Sequence, residues 1–417
     1  MKSFITKTIV IVSVVSFLTD IASEMLYPVM PLYLQSIGYG VLAIGLIEGF
    51  SELVAGINKV FFGRISDVTG RRKVFIVIGY AVSALAKPAI GFLHSVGGIF
   101  AAKFADRLGK GVRTAPRDAL LVSESTPSNR GKVFGFHRSI DTLGAIIGPF
   151  LGLLILIAYP GNYKLVFAVS IIPGLIAVAA TLLLPKDKNT TQGKREKTEE
   201  GDISPTMPVE KAPEKQTFRG LISFWRESDG NYKKLLLGFL LFSLINSSNM
   251  FLLLRVSELG FSPVVVLVAY LVFNVVSASL SYVFGRIADK KGFRPVFIFG
   301  LLAFATSYAI LGYGTNSSFV VFAAFALYGI FGATEEGMAK AWLSLYIPKA
   351  YKATGISFYL LANSTGFLIA SVGTALLWQK AGSALVLSLI AAAAILVMVY
   401  FLQLRIKTDF KENNLTA

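Results

Sequence analysis

The sequence contains no cysteine in its 417 residues, which excludes disulfide bridges and thiolate metal sites. His94 and His137 are its two histidines, too few for a histidine metal cluster. Charged residues are also scarce, at 15% of the chain against about 25% in a typical soluble domain. No nucleophile constellation, phosphate-binding loop or metal-ligand spacing is present, so we expect no enzymatic activity and no cofactor.

Long apolar runs dominate the sequence instead. Apolar residues make up 54% of the chain, and the mean hydropathy is +0.65. The runs are about 20 residues long, enough to cross a bilayer as helices, and they lack the alternation that strands would show. We therefore predict an all-α polytopic protein embedded in a lipid bilayer. The predicted spans are residues 8–33, 41–62, 74–93, 97–121, 132–157, 163–184, 235–257, 263–285, 296–314, 318–345, 353–379 and 383–404.

Positive charge is concentrated in alternate loops. The odd-numbered connections between spans are nearly free of it, so the positive-inside rule predicts that the even-numbered loops and both termini face the cytoplasm. We expect a multi-pass protein of the bacterial cytoplasmic (inner) membrane. The same distribution accounts for the net charge of +16 without a nucleic-acid partner. The even-numbered loops carry Arg71, Arg72, Lys73, Arg117, Arg130, Lys132, Lys290, Lys291, Arg294, Lys349 and Lys352.

Cysteine labelling tests this orientation, because the natural chain has no cysteine to remove. Cysteine in place of Ser317 is expected to react with a membrane-impermeant thiol reagent added outside. Cysteine in place of Thr69 is expected to stay unreacted in intact cells. The reverse pattern would invert the topology.

The spans form two sets of six joined by a polar segment. We predict an N-terminal bundle over residues 1–184, a cytoplasmic linker over 185–234, and a C-terminal bundle with a short tail over 235–417. The linker residues 185–217 are rich in Lys, Glu, Thr and Pro and are expected to be disordered. Residues 218–234 mix aromatic and charged residues, which indicates an interfacial helix, with plain linker as the alternative.

A charged turn occurs twice. Gly63-Arg64-Ile65-Ser66-Asp67-Val68-Thr69-Gly70-Arg71-Arg72-Lys73 returns 222 positions later from Gly285 to Pro295, with six of eleven positions identical. A repeat at this offset indicates a duplicated unit. Both copies resemble the G-x-x-x-D-x-x-G-R-[RK] signature of the major facilitator superfamily. The resemblance implies twelve helices in two pseudo-symmetric bundles and a monomeric transporter of small molecules.

The resemblance also assigns a cytoplasmic gate to these turns. It implies that Asp67 docks on the start of the eleventh helix, near residues 351–354. It likewise implies that Asp289 docks on the start of the fifth helix, near residues 129–131, where a helix N-terminus favours a carboxylate. The alternative is a basic turn that only sets topology. The predicted gate residues are Gly63, Asp67, Gly70, Arg71, Arg72 and Asp289.

Charged residues inside the predicted spans are costly and are therefore functional candidates. Asp20 and Glu24 are four residues apart and share a helix face, with a salt bridge to a neighbouring helix as the structural alternative. Tyr27-Pro28-Val29-Met30-Pro31 resembles the P-V-x-P segment that ends the first helix of drug:proton antiporters. The predicted proton-coupling and cavity residues are Asp20, Glu24, Glu48, Glu52, Arg107, Arg138 and Asp141.

The fourth predicted helix is the most basic. Arg107-Leu108-Gly109-Lys110-Gly111 resembles the family's R-x-x-x-G motif, which implies that Arg107 is linked to proton transfer. Arg113 and Arg117 are nearer the cytoplasm, and we interpret them as topological anchors and gate contacts.

The fifth helix carries Gly144, Gly148, Pro149 and Gly152, which resemble the antiporter motif G-x-x-x-G-P-x-x-G. Glycines allow close helix packing, and the family associates this motif with exporters. The C-terminal half is less charged, and its predicted substrate-cavity residues are Asn246, Asn249, Tyr270 and Asn274.

Three functions fit these patterns. The first is a proton-coupled antiporter that works by alternating access and exports a small amphiphilic molecule or metabolite. The second is a proton-coupled symporter or facilitator that takes up an anionic solute along the basic fourth helix. The third is a membrane receptor without transport, which the dense intramembrane charge disfavours. Small-molecule substrate, protons and lipid are the expected partners.

Overall fold

The computed structural model describes residues 5–126, 129–185, 187, 224–226, 228–335, 338–347 and 352–405, apart from the side chains at 60, 63, 64, 67, 68, 130, 131 and 352–354. Most of the predicted linker therefore lies outside the described residues. The N-half consists of α1 Lys7–Leu26, α2 Val29–Ser36, α3 Val41–Thr69, α4 Arg72–Phe92, α5 Val96–Ser123, α6 Arg130–Ala158, α7 Tyr163–Val169 and α8 Ile171–Leu182. The C-half consists of α9 Gly230–Ser243, α10 Met250–Glu258, α11 Pro263–Lys291, α12 Phe293–Tyr313, α13 Ser318–Glu335, α14 Met338–Ser344, α15 Lys352–Ala381 and α16 Ser383–Gln403.

These helices confirm the predicted all-α membrane fold. Ten of them, counting joined pairs as one, are long and apolar enough to cross a bilayer. Two further spans complete the set of twelve: α5, which carries many charges, and the interrupted pair α9–α10. The boundaries agree with the predicted spans to within a few residues, except that several helices extend further on the side of the basic loops.

Within the described residues, three predicted spans are interrupted: the first, the sixth at Ser170, and the seventh, which corrects the expectation of continuous helices there. The first breaks between Leu26 and Val29, because Pro28 has no backbone N–H to continue the helical bonds. The seventh begins at Gly230 and is interrupted at residues 244–249, Leu-Ile-Asn-Ser-Ser-Asn. Serine and asparagine side chains compete with the helix for backbone hydrogen bonds, so this polar run ends α9.

The duplicated turns have a shared backbone requirement. Gly70 ends α3 with φ 64°, and its N–H donates to Ser66 O at 2.9 Å. Gly292 follows α11 with φ 86°. Left-handed geometry favours glycine, which explains why glycine recurs at this position in both halves.

The gate contacts themselves remain predictions. The side chain of Asp67, the surroundings of Gly63 and the side chains of the predicted docking partners at 130–131 and 352–354 are not among the described parts of the chain. Arg71 and Asp289 are exposed, and Arg72 donates to Ala119 O at 3.3 Å.

Two ends of the bundle are distinguished by their loops. The basic end carries the turns at residues 70–71, 124–126 and 292, and the far end carries the loops at 37–40, 93–95, 159–162, 259–262 and 314–317. The halves pack along α3 and α15 and along α6 and α11. A Cβ added at Gly45 would lie 2.7 Å from Ala375 Cβ, and one at Gly56 would lie 2.4 Å from Ser364 Oγ. Because Gly45 and Gly56 have no side chain, α3 and α15 can pack closely at these two positions.

Candidate functional site

A small polar cavity of about 50 Å³ lies within the N-half near mid-depth. Lys110 lines this cavity and is also exposed at the surface of the described structure. Side chains of α1, α4 and α5 supply its polar wall. The charged lining residues are Asp20, Glu24, Lys87, Lys103, Asp106, Arg107, Lys110 and Arg113.

Helix α5 supplies most of the charge because its ionisable residues recur every three or four positions. Lys103, Arg107 and Lys110 lie on one face, and Asp106 and Arg113 lie on the adjacent face. Lys103, Asp106 and Arg113 are buried, Arg107 is half-buried, and Lys110 is exposed.

Glu48 forms a buried ion pair on α3. Its Oε1 is 2.9 Å from Lys103 Nζ, so its charge is compensated within the N-half. Its Oε2 also accepts a long hydrogen bond of 3.5 Å from Ser248 Oγ in the interruption between α9 and α10. Glu48 is therefore a contact between the halves as well as a member of the charged network.

A second buried ion pair joins α4 to α5 and was missed by the sequence analysis. Lys87 Nζ lies 2.9 Å from Asp106 Oδ1 and donates to Ser83 Oγ at 2.5 Å. Ser83 in turn donates to Asp106. The sequence does indicate such a pair. Lys87 is a lone lysine inside the predicted third span, and a lysine within the membrane requires a partner.

The interpretation of Arg113 as a topological anchor is wrong. It is only 5% exposed, lines the cavity, and places its guanidinium 4.3 Å from the Tyr80 ring centroid. The cation–π contact accounts for part of its stabilisation. Arg117 behaves differently, since its Nη2 pairs with Asp118 at 2.9 Å and its Nη1 donates to Ser16 at 3.2 Å.

Glu24 is bonded across the two halves. Tyr270 OH on α11 donates to Glu24 Oε2 at 2.7 Å. Tyr27 stacks on Tyr270 with ring centroids 5.2 Å apart and an interplanar angle of 23°. Tyr27 OH is also 3.4 Å from Ser248 Oγ. Tyr270, predicted as a substrate-cavity residue, therefore lies in the contact between the halves.

Asp20 lies one turn nearer the basic end and interacts with Asp141 on α6. Arg138 Nη1 is 3.8 Å from Asp141 Oδ2, and its side chain is 54% exposed. An exposed pair at this distance contributes little to stability. Asp20 and Asp141 thus face each other beside the cavity, with Arg138 at its edge.

The glycines of the fifth-helix motif hold α6 against the segment of α1 that carries the acids. A Cβ added at Gly144 would lie 2.6 Å from Phe17 O and 3.0 Å from Asp20 Cβ. At Gly148 it would lie 2.8 Å from Ile21 O and 3.0 Å from Glu24 Cβ, and at Gly152 3.0 Å from Met25 O. The motif thereby determines how Asp20 and Glu24 are placed.

Arg107 and Lys110 are two cavity cations that no close carboxylate among the described residues neutralises. Within the described part of the chain, neither forms an ion pair, and Arg107 Nε is buried without a hydrogen-bond partner. Glu52 on α3 is half-buried and faces both of them at longer range. These donors are available to a bound molecule.

In the C-half, the predicted residues line a polar and aromatic region around the helix interruption. Tyr328 OH donates to Asn249 Oδ1 at 2.5 Å, Asn246 is half-buried, and Asn274 Nδ2 is buried without a partner among the described residues. Stacked rings run from Tyr27 and Tyr270 to Phe273 at 5.6 Å and on to Tyr328 at 5.1 Å. The run forms a continuous aromatic surface from the contact between the halves into the C-half.

Known proteins share this architecture. A family model described as Major Facilitator Superfamily matches residues 12–291 and 235–415. An uncharacterized MFS-type transporter of Methanocaldococcus jannaschii is 29% identical over 381 residues, covering 90% of this chain and 89% of the relative. The multidrug resistance protein MdtH of Salmonella arizonae is 28% identical over 160 residues, or 38% of this chain and 39% of MdtH. The solved nucleoside transporter NupG, as its D323A mutant, superposes with a TM-score of 0.73 at 14% identity, covering 95% of this chain and 99% of that structure.

Proposed function

Because the chain belongs to the Major Facilitator Superfamily, we propose that this membrane transporter is a proton-coupled antiporter. It exports a small amphiphilic molecule from the cytoplasm by alternating access. The basic end is cytoplasmic in this proposal and the far end faces outward, with both termini inside a bacterial inner membrane. The structure then corresponds to a conformation closed to the outside.

One observation carries the proposal. The glycines of α6 pack closely against the part of helix α1 that bears Asp20 and Glu24, and the cations of α5 line the same cavity. Carboxylates at mid-depth next to unpaired cations can gain and lose protons as their surroundings change. The antiporter motif therefore contacts the proton-binding groups directly. The partial similarity to MdtH supports export of a drug-like molecule.

A second candidate is proton-coupled uptake of an anion. Arg107 and Lys110 lack ion-pair partners within the described residues, and protonation of a neighbouring acid would leave the cavity more positive. Protons and an anion would then bind cooperatively, which is the requirement for symport. The direction of proton movement distinguishes the two candidates.

The test uses purified protein in liposomes with a trapped pH dye and a panel of drugs and metabolites. For an exporter by antiport, a substrate gradient directed out of the liposomes should drive protons in, and an imposed pH gradient should accumulate the substrate. The triple variant Asp20→Asn, Glu24→Gln, Glu52→Gln should lose gradient-driven transport entirely. Protons that move with the substrate would identify the symporter, and full transport by the triple variant would refute both.

A further inference from the structure

We propose that Glu24 is the acid that carries the coupling proton. Tyr270 is its positioning residue, and the hydrogen bond between them makes the contact between the two halves depend on the charge of Glu24. The inference rests on the proposed proton-coupled function and names the group that performs the coupling. Tyr270 closes the far end most firmly when Glu24 is ionised.

Among Asp20, Glu24, Glu48 and Asp106, Glu24 is the acid with a short hydrogen bond from the C-half, whereas Glu48 accepts only a longer bond of 3.5 Å from Ser248 there. Glu48 is compensated by Lys103, and Asp106 by Lys87, both within the N-half at 2.9 Å. Asp20 faces Asp141, also within the N-half. Glu24 receives its short hydrogen bond from Tyr270 of the C-half, so a change in its charge acts on the contact between the halves.

Other groups surround Glu24 without bonding it. Arg107 and Lys110 face it from α5, and Asp141 faces it from α6. On its own helix, Asp20 is one turn away. Two cations and two aspartates therefore surround Glu24, so its charge state is sensitive to what else occupies the cavity.

The charge of Glu24 controls the strength of this contact. A hydrogen bond from a hydroxyl to a carboxylate is roughly twice as strong as one between neutral groups. Tyr270 is buried and its ring is held by Tyr27, so the donor is already oriented. Protonation of Glu24 therefore weakens closure of the far end, and deprotonation strengthens it.

This sign fits exchange better than cotransport. An empty, ionised exchanger should not reorient, because that step would dissipate the proton gradient. The hydrogen bond from Tyr270 to Glu24 opposes reorientation of the empty, ionised protein until substrate or a proton binds at Glu24. A symporter must instead return empty and ionised, and the same bond would slow it. The contact thus supports antiport over symport.

The test measures opening of the far end without any substrate, with protons as the ligand. Ser257 Oγ donates to Gln35 Oε1 at 3.3 Å between α10 and α2, so these positions report closure. Because the chain has no cysteine, Gln35→Cys and Ser257→Cys can be spin-labelled specifically in nanodiscs. Distance distributions at acidic and alkaline pH then give the ratio of open to closed far ends.

In the labelled parent, we expect alkaline pH to favour the short distance and acidic pH to populate a longer one. Tyr270→Phe keeps the stacked ring and removes the hydroxyl, so it should raise the open-to-closed ratio at alkaline pH about tenfold, which corresponds to ~1.4 kcal/mol. It should also flatten the pH dependence. Glu24→Gln should show the same flattening.

The matched control is Tyr282→Phe, an exposed tyrosine on the same helix whose ring contact with Arg286 survives the change. It should retain the parent's pH response. Parental pH dependence in both Tyr270→Phe and Glu24→Gln would overturn the inference. If the parent liposomes show no proton-coupled transport while the distances still respond as expected, the proposed function fails and the contact stands. If transport is coupled but the distances ignore both substitutions, only the inference fails.

Discussion

Replacing Lys87 by methionine is expected to lower the free energy of unfolding by about 3–5 kcal/mol. The substitution leaves Asp106 ionised and buried without its lysine, which sits 2.9 Å away in the intact protein. Ser83 and the charge of Arg107 remain near Asp106, and they compensate it only in part. Thermal unfolding in detergent measures the loss.

The double variant Lys87→Met, Asp106→Leu is expected to recover most of that stability, because removing both members of a buried ion pair leaves no uncompensated charge. Lys132→Met, at an exposed position on α6, should change the unfolding temperature little. A double variant as unstable as Lys87→Met alone would show that the pair is not what stabilises this part of the N-half.

The fold could be read from the sequence because its determinants are local. Apolar runs of bilayer length, the alternation of positive loops and the repeated Gly63–Lys73 turn each depend on residues close together in the chain. The left-handed glycines at 70 and 292 confirm that the repeat reflects a shared backbone need. Lys87 could have been singled out on the same grounds, since it interrupts an apolar span.

The pairings of the charged residues could not be read in the same way. Helical spacing places Asp20 and Glu24 on one face, but it cannot indicate that Tyr270, 246 positions later, donates to Glu24. The sequence links Arg107 to proton transfer, but it does not indicate that Lys103 and Lys87 form the close ion pairs with the acids. Arg113 was assigned by its position near the cytoplasm, but its side chain turns towards Tyr80. Such choices depend on packing between helices distant in sequence.

Gly148→Ala is expected to reduce proton-driven transport by about a hundredfold. The added Cβ would lie 2.8 Å from Ile21 O and 2.9 Å from Met25 N. These are backbone atoms that cannot rotate away, so α1 and α6 must separate and Glu24 must shift from Tyr270. A misplacement of about 1 Å in a reacting group can cost about that factor. Transport of any identified substrate under an imposed pH gradient measures the effect.

Graded glycine substitutions separate this packing effect from general damage to α6. Gly152→Ala meets one atom at 3.0 Å, Met25 O, and should have a smaller effect, whereas a Cβ at Gly135 meets nothing within 4 Å and should leave transport unchanged. Alanine favours a helix over glycine by about 1 kcal/mol, so weakened helix propensity cannot explain a loss. Full transport in Gly148→Ala, or equal losses in all three variants, would show that the motif does not position Glu24. The expected order of damage, Gly148 above Gly152 above Gly135, follows the contacts with α1 and would tie the antiporter motif to the proton-binding helix.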